Sequence, residues 1–144
     1  MSPVDAALVR RKLGHIAQGL DALAPLARLP IEEYRARLYE RKAAERLLQE
    51  TIEAALDVNA HIIAELGGAV PDDYYGGFIK LGDIGVLARD LAASLALSAG
   101  LRNRLVHEYA ALDDAKVLAA LGSILELYPR YVQSVEGHLA KAGL

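Results

Sequence analysis

The sequence predicts an all-α bundle of four to five helices with one long second helix, residues 1–144 forming a single domain. Three observations carry this. Ala, Leu, Glu and Arg fill almost every segment, no stretch alternates with period two for long enough to make a strand, and helix-forming runs are separated by short breaks rich in Gly, Pro and Asp. With 144 residues, 53% of them apolar and no cysteine, the chain can bury roughly 68–70% of the surface it exposes when unfolded, without a disulfide or metal.

The first helix is expected to start near Pro3, behind Ser2 as cap, with Leu8, Leu13, Ile16 and Leu20 on or near one stripe, and to end before Pro25 or Pro30. Gly14 and Gly19 each weaken it by about 1 kcal/mol relative to Ala, so it depends on packing. The second helix is expected from Ile31 to Glu65, closed by Gly67, Gly68 and Pro71. It would span on the order of 50 Å. Leu38, Leu47, Leu48, Ile52, Ala55, Leu56, Val58 and Ile62 form its apolar side, and Arg35, Arg37, Arg41, Lys42, Glu45, Arg46 and Glu50 fill much of the rest. That charged strip reads as a solvated face with intrahelical pairing; an RNA-facing basic strip is the alternative.

Asp72 to Gly77 reads as a turn-rich joint before Phe78, with Tyr74 and Tyr75 as hinge packing rather than base-stacking platforms. A third helical region is expected from Asp83 to Ala99, closing at Gly100. The final helix should run from Asp113 to Lys141, with Asp113 and Asp114 as cap candidates and Val117, Leu118, Leu121, Ile124, Leu125 and Leu127 turned inward. Pro129 should bend or break it.

Composition also sets limits on function. The longest uncharged apolar stretch, Leu91 to Leu101, is too short for a bilayer, which takes about 20 residues. Arg10, Arg11 and Lys12 interrupt the N-terminus where a secretory signal needs its apolar core. A cytoplasmic protein without membrane contact is therefore the expectation. Net charge is −3, so the overall field repels a polyanion and any nucleic-acid contact must be local. A mean hydropathy of +0.19 beside an ordinary charged fraction points to a buried oligomer face.

One dense polar cluster sits in an apolar context: Arg102, Asn103, Arg104, His107, Glu108 and Tyr109, interleaved with Leu101, Leu105 and Val106. In a regular helix Arg102 and Tyr109 lie about 20° short of two full turns, and Asn103 stacks over His107. Arg102 and His107 are separated by about 140° around the axis, so they could meet only at the rim of a cleft or where the helix is irregular. These residue types suit cleavage of a phosphodiester by the neighbouring ribose hydroxyl, with no metal and no cofactor. A neutral imidazole can take the 2′-OH proton, since its ordinary pKa of about 6.5 leaves a useful basic fraction at neutral pH. A guanidinium can hold two phosphate oxygens and offset the charge that develops. Asn103 can orient either group, and Tyr109 can bind a phosphate oxygen or stack on a base. One copy supplies one imidazole; a second copy across a two-fold axis would supply both a base and an acid. The plainer reading is an exposed helix end carrying scattered polar residues.

The run Arg102-Asn103-Arg104-Leu105-Val106-His107-Glu108-Tyr109 resembles the signature of the HepT-like ribonuclease toxins of the HEPN superfamily. The segment from Arg41 to Ile63 is similar to that family's long second helix, and Pro71-Asp72-Asp73-Tyr74, Phe78 and Gly100-Leu101 also fall where the family has them. The resemblance implies a HEPN-type bundle, a homodimer whose two motifs meet at a cleft, and metal-independent endoribonuclease activity as the toxin of a type VII toxin–antitoxin system. It implies Arg102 and His107 as the catalytic pair, with Asn103 and Arg104 supporting. It also implies an MntA-like nucleotidyltransferase antitoxin as partner, which would transfer AMP from ATP onto Tyr109. An adenylyl group there would add bulk and negative charge beside His107. A non-catalytic helical partner of a minimal nucleotidyltransferase is the rival reading, and a helical oligomer without chemistry a third.

Other candidates carry weaker expectations. Asp57 and His61, four residues apart, can form a carboxylate–imidazole contact but are too few for a closed metal site. An interhelical hydrogen bond is expected there instead. His15 and His138 read as surface or packing residues.

Overall fold

The computed structural model describes residues 3–144. Six α-helices and one 3-10 turn follow in order among them: α1 Pro3–Ala27, α2 Ile31–Ala36, α3 Leu38–Glu65, α4 Tyr74–Asp83, α5 Arg89–His107, the 3-10 turn Tyr109–Ala111, and α6 Asp114–Lys141. The described residues contain no strand, as expected, but the helices outnumber the four to five anticipated. One addition comes from a break at Arg37 that no proline marks, the other from the segment expected to be a joint, which is helical from Tyr74.

α1 buries Val9, Leu13, Ile16, Leu20 and Leu23 against α3 and α6. It runs past Pro25 and stops two residues later, ahead of Pro30, so the later of the two expected ends holds. The Ser2 cap lies outside the described residues. Gly19 meets α3 so closely that a Cβ there would collide with the Thr51 hydroxyl. Glycine is thus tolerated in mid-helix because it leaves room for the Thr51 side chain of α3.

The expected second helix is two. Arg37, at φ −105° and ψ 85°, leaves helical geometry and separates α2 from α3. Tyr34 and Leu38 would share one face of a continuous helix. The break parts them, so that Tyr34 is fully buried while Leu38 is 53% and Tyr39 86% exposed. The assignment of Leu38 to the apolar side is thereby corrected; Leu48, Ile52, Ala55, Leu56, Val58 and Ile62 are buried as expected, with Leu47 half-buried.

The expected joint at Asp72–Gly77 is instead the start of α4. Asp73 caps it, its carboxylate accepting from the Gly76 amide at 2.7 Å. Asp83 ends α4 rather than opening a helix, and Gly85 turns the chain at φ +86° before α5. Gly100 does not close α5, which continues to His107 and carries most of the polar cluster within it. Because the helix remains regular there, nothing at Gly100 demands a left-handed turn.

α6 starts after the Asp113 cap, whose carboxylate accepts from the amides of Ala115 and Lys116. It passes through Pro129 without interruption. Tyr128 and Tyr131, on either side of the proline, are fully buried and anchor the helix there, which is why the expected break does not occur. Val117, Leu121 and Ile124 face the core, with Leu118, Leu125 and Leu127 half-buried against it. The Tyr131 hydroxyl donates to Asn59 Oδ1 at 2.6 Å, with Ala55 O at 3.1 Å, and the hydroxyls of Tyr128 and Ser98 are 2.7 Å apart. Burial pushes the Tyr34 phenol up to about 12 and those of Tyr128 and Tyr131 well above their ordinary value. Among the described residues no helix is long and apolar enough to cross a membrane.

Candidate functional site

The polar cluster occupies the last turns of α5 and the bend beyond. Arg102, Asn103, Arg104 and His107 are helical; Glu108, at φ −127° and ψ 28°, ends the helix while its amide still bonds to Arg104 O at 2.8 Å. Tyr109 opens the 3-10 turn and is 65% exposed. It therefore leaves the line it was expected to share with Arg102. His107, the last helical residue, is exposed, as are Asn103 and Arg104. Since α5 is regular through His107, a single chain keeps Arg102 and His107 about 140° apart around the axis.

Arg102 is built into a setting of its own. Its Nε and Nη2 donate to Glu53 Oε2 on α3 at 3.2 and 2.9 Å, and Nη1 donates to Asn103 Oδ1 at 3.3 Å. The guanidinium carbon lies 5.1 Å from the centre of the Tyr74 ring, within cation–π range. The Arg102 side chain is only 17% exposed. Together Glu53, Leu56, Asp57, Tyr74 and Arg102 line an open cavity of about 250 Å³. A charge-assisted contact on one side and an aromatic face on another fix a guanidinium that would otherwise sample many rotamers.

Tyr74 is thus part of the arginine's seat and not only hinge packing, while Tyr75 is half-exposed. Sequence reasoning missed Glu53. It lies 49 positions from Arg102, beyond any periodicity, and on α3 it looks like one more acid in a charged helix. Arg104 parts company with Arg102. It lines a separate cavity of about 410 Å³ between α5 and α6, beside Leu97, Leu101 and Leu112.

Asp57 and His61 do not pair. Asp57 binds Lys12 of α1 at 2.9 Å, and His61 Nε2 faces Asp5 of α1 at 3.3 Å. The contact of His61 is interhelical, but it is with Asp5 and is not the hydrogen bond anticipated, since Nε2 has no hydrogen-bond partner. His15 lines a cavity of about 490 Å³ between α1 and α3 that shares Glu53 and Asp57 with the Arg102 cavity. His138 is half-buried, and burial above all lowers its pKa. The basic strip is largely paired: Arg46 with Glu50 at 2.7 Å, Lys42 with Glu45 at 3.4 Å, Arg37 with Glu33 at 3.5 Å and Arg41 with Asp114 of α6 at 3.5 Å. Those pairs favour the solvated-face reading over an RNA-binding strip.

Comparison with known proteins bears on the family and the fold. Residues 16–135 match the family described as Ribonuclease HepT-like. The tRNA nuclease HepT of Aphanizomenon flos-aquae (strain 2012/KM1/D3) is 34% identical over 139 residues, covering 96% of this chain and 95% of that protein. Among solved structures, YutE of Bacillus subtilis superposes with a TM-score of 0.85 at 18% identity, covering 99% of this chain and 95% of that one. A tri-AMPylated Shewanella oneidensis HEPN toxin, in complex with its MNT antitoxin, superposes with a TM-score of 0.81 at 19% identity, over 95% of this chain and 99% of that one. At such identities these structures establish the HEPN fold.

Proposed function

The chain belongs to the ribonuclease HepT-like family, and on that premise we propose that it is the toxin of a type VII toxin–antitoxin pair. In this reading it is a metal-independent endoribonuclease acting through Arg102 and His107. The observation that carries the proposal is the seat of Arg102: a guanidinium held by Glu53, Asn103 and Tyr74 at the edge of an open cavity, on the same helix end as an exposed imidazole. A guanidinium kept there only for stability has no need of a solvent-filled cavity. One oriented beforehand for a phosphate does.

The chemistry follows from the two groups. His107 takes the ribose 2′-OH proton, the 2′-oxygen attacks phosphorus, and the bond to the 5′-oxygen breaks. The leaving oxygen takes a proton from an imidazolium, giving a 2′,3′-cyclic phosphate and a 5′-hydroxyl end. Arg102 binds the non-bridging oxygens and offsets the charge gained in the phosphorane. Because one chain turns Arg102 and His107 apart, the complete site is assigned to a homodimer in which two motifs face one cleft and two imidazoles serve as base and acid. The name of the Aphanizomenon relative makes transfer RNA the first substrate class to test.

Tyr109 is the assigned point of control. With a MntA-like nucleotidyltransferase antitoxin, its phenol oxygen would displace pyrophosphate from the α-phosphorus of ATP. The adenylyl group then sits two residues from His107, where its bulk and charge oppose an incoming phosphate. Purified protein is incubated with transfer RNA in excess chelator, and the His107→Ala variant beside it. Cleavage by the first and not the second is expected. Equal cleavage by both would remove His107 from the mechanism, and no cleavage by either would leave a docking partner of a nucleotidyltransferase.

A further inference from the structure

Where the first turn of α1 meets the last turn of α3, three side chains of metal-binding type converge: Asp5, His61 and Glu65. One ligand atom from each lies within 4.8 Å of the other two. His61 and Glu65 are four residues apart and share a face of α3, while Asp5 reaches in from α1. His61 Nε2 lies 3.3 Å from Asp5 Oδ1, is itself buried, and makes no hydrogen bond. A buried ring nitrogen left without a hydrogen bond is uncommon and costly. A nitrogen and an oxygen each about 2.0–2.1 Å from one tetrahedral ion stand about 3.4 Å apart, a spacing this pair already has.

We propose that Asp5, His61 and Glu65 bind one divalent cation of the zinc type, with water completing the coordination. The donor set of one imidazole and two carboxylates suits that ion. The ion would tie the start of α1 to the end of α3, and so clip the two helices whose packing also carries Glu53. His61 lies eight residues beyond Glu53, about 12 Å along α3. The ion is therefore separate from the Arg102 site, and the cleavage chemistry above does not use it.

The test is titration of the chelator-treated full chain with zinc, read by calorimetry and thermal melting. One ion per chain is expected, with the melting temperature raised by roughly 5–10 °C at a hundredfold excess over the dissociation constant. His61→Gln, Asp5→Asn and Glu65→Gln should each weaken binding by at least about tenfold, while His15→Gln leaves it unchanged. Absence of stoichiometric binding overturns the proposal, as does wild-type affinity in all three variants, which would put the ion elsewhere. Cobalt(II) on the wild-type chain guards against variants that fail to fold. It should give a hyperfine-shifted imidazole N–H resonance, and failure to see one also overturns the site.

Discussion

Two tyrosines in this molecule do opposite things. Tyr131 lies on the buried face of α6 with its ring against Phe78 and Tyr128 and its hydroxyl on Asn59 and Ala55, so its hydroxyl is used inside the fold. Tyr109 stands on a 3-10 turn just past a helix end with most of its surface in solvent. The same contrast extends to their neighbourhoods. Around Tyr131 the donors and acceptors mostly find one another away from solvent; Arg102 is held by Glu53 and Asn103 at the edge of an open cavity, and His107 is exposed. Polar groups satisfied within the core specify the fold, and those held at its edge remain available for chemistry.

The largest effect expected is on the outer region and should leave the inner one untouched. His107→Ala and Arg102→Ala are each expected to lower RNA cleavage by about 10²–10⁴-fold, the range for loss of a general acid–base or a charge-stabilising group. For His107→Ala, an exposed helix-end residue, the melting temperature should stay within a degree or two. Single-turnover cleavage assays and thermal melts on the same samples separate the two outcomes. A His107→Ala protein that loses activity only because it unfolds would erase the distinction between the regions.

The converse substitution is Tyr131→Phe. It leaves Asn59 Oδ1 without its donor in a closed core and takes a second contact from Ala55 O, at a cost of about 1–3 kcal/mol, while cleavage per folded molecule is unchanged. Denaturant titration measures the first and active-site-normalised rates the second. Alkali probes the same region without a mutation. Tyr34, pushed up to about 12, and Tyr128 and Tyr131, raised further by burial, hold their protons in the fold longer than in the open chain. A raised acid pKa contributes stability that is complete below the unfolded value, near 10. It is lost as pH climbs through the folded one. Stability should therefore fall steadily from about pH 10 to 12, with tyrosinate absorbance rising as the helical signal is lost.

The inner region was largely legible beforehand and the outer one only in outline. Val117, Leu121 and Ile124, or Leu13, Ile16 and Leu20, repeat at helical spacing, and burial follows spacing because each helix has one face to hide. What misled was local. Pro25 and Pro129 carry a strong breaking signal that tertiary packing overrides, while Arg37 carries none and yet breaks a helix, so that Tyr34 can enter the core without Leu38. For the site, the motif residues suggested the chemistry proposed above, but the seat of Arg102 could not be read from spacing. Glu53 and Tyr74 reach Arg102 from two other helices, and only the folded chain sets those distances.

Glu53 tests whether that seat matters. Glu53→Ala removes the carboxylate that orients Arg102 without removing the guanidinium, so cleavage should fall by about tenfold, less than for Arg102→Ala. The pair is mostly buried, with Arg102 17% and Glu53 34% exposed, so losing the carboxylate costs about 1–3 kcal/mol, the melt falls by several degrees, and the rate is normalised to folded protein. Glu53→Gln, which can still accept a hydrogen bond, should recover part of the rate. If Glu53→Ala cuts RNA at the wild-type rate, the arginine needs no preparation and the two regions differ less than supposed.

The smallest effect expected gives the sharpest contrast, because it is the same chemical change as in Tyr131→Phe made at the exposed tyrosine. Tyr109→Phe removes a hydroxyl that meets solvent, so stability should change by no more than about 0.5 kcal/mol. A ring remains beside His107, and RNA cleavage should stay within a few-fold of wild type. What should vanish is modification: mass spectrometry after incubation with ATP and a MntA-like nucleotidyltransferase should show an adenylyl adduct on the wild-type chain and none on Tyr109→Phe, which then stays active when the antitoxin is present. An adduct that persists in the variant would move the control point to another residue while leaving Arg102 and His107 in place, since neither depends on that hydroxyl.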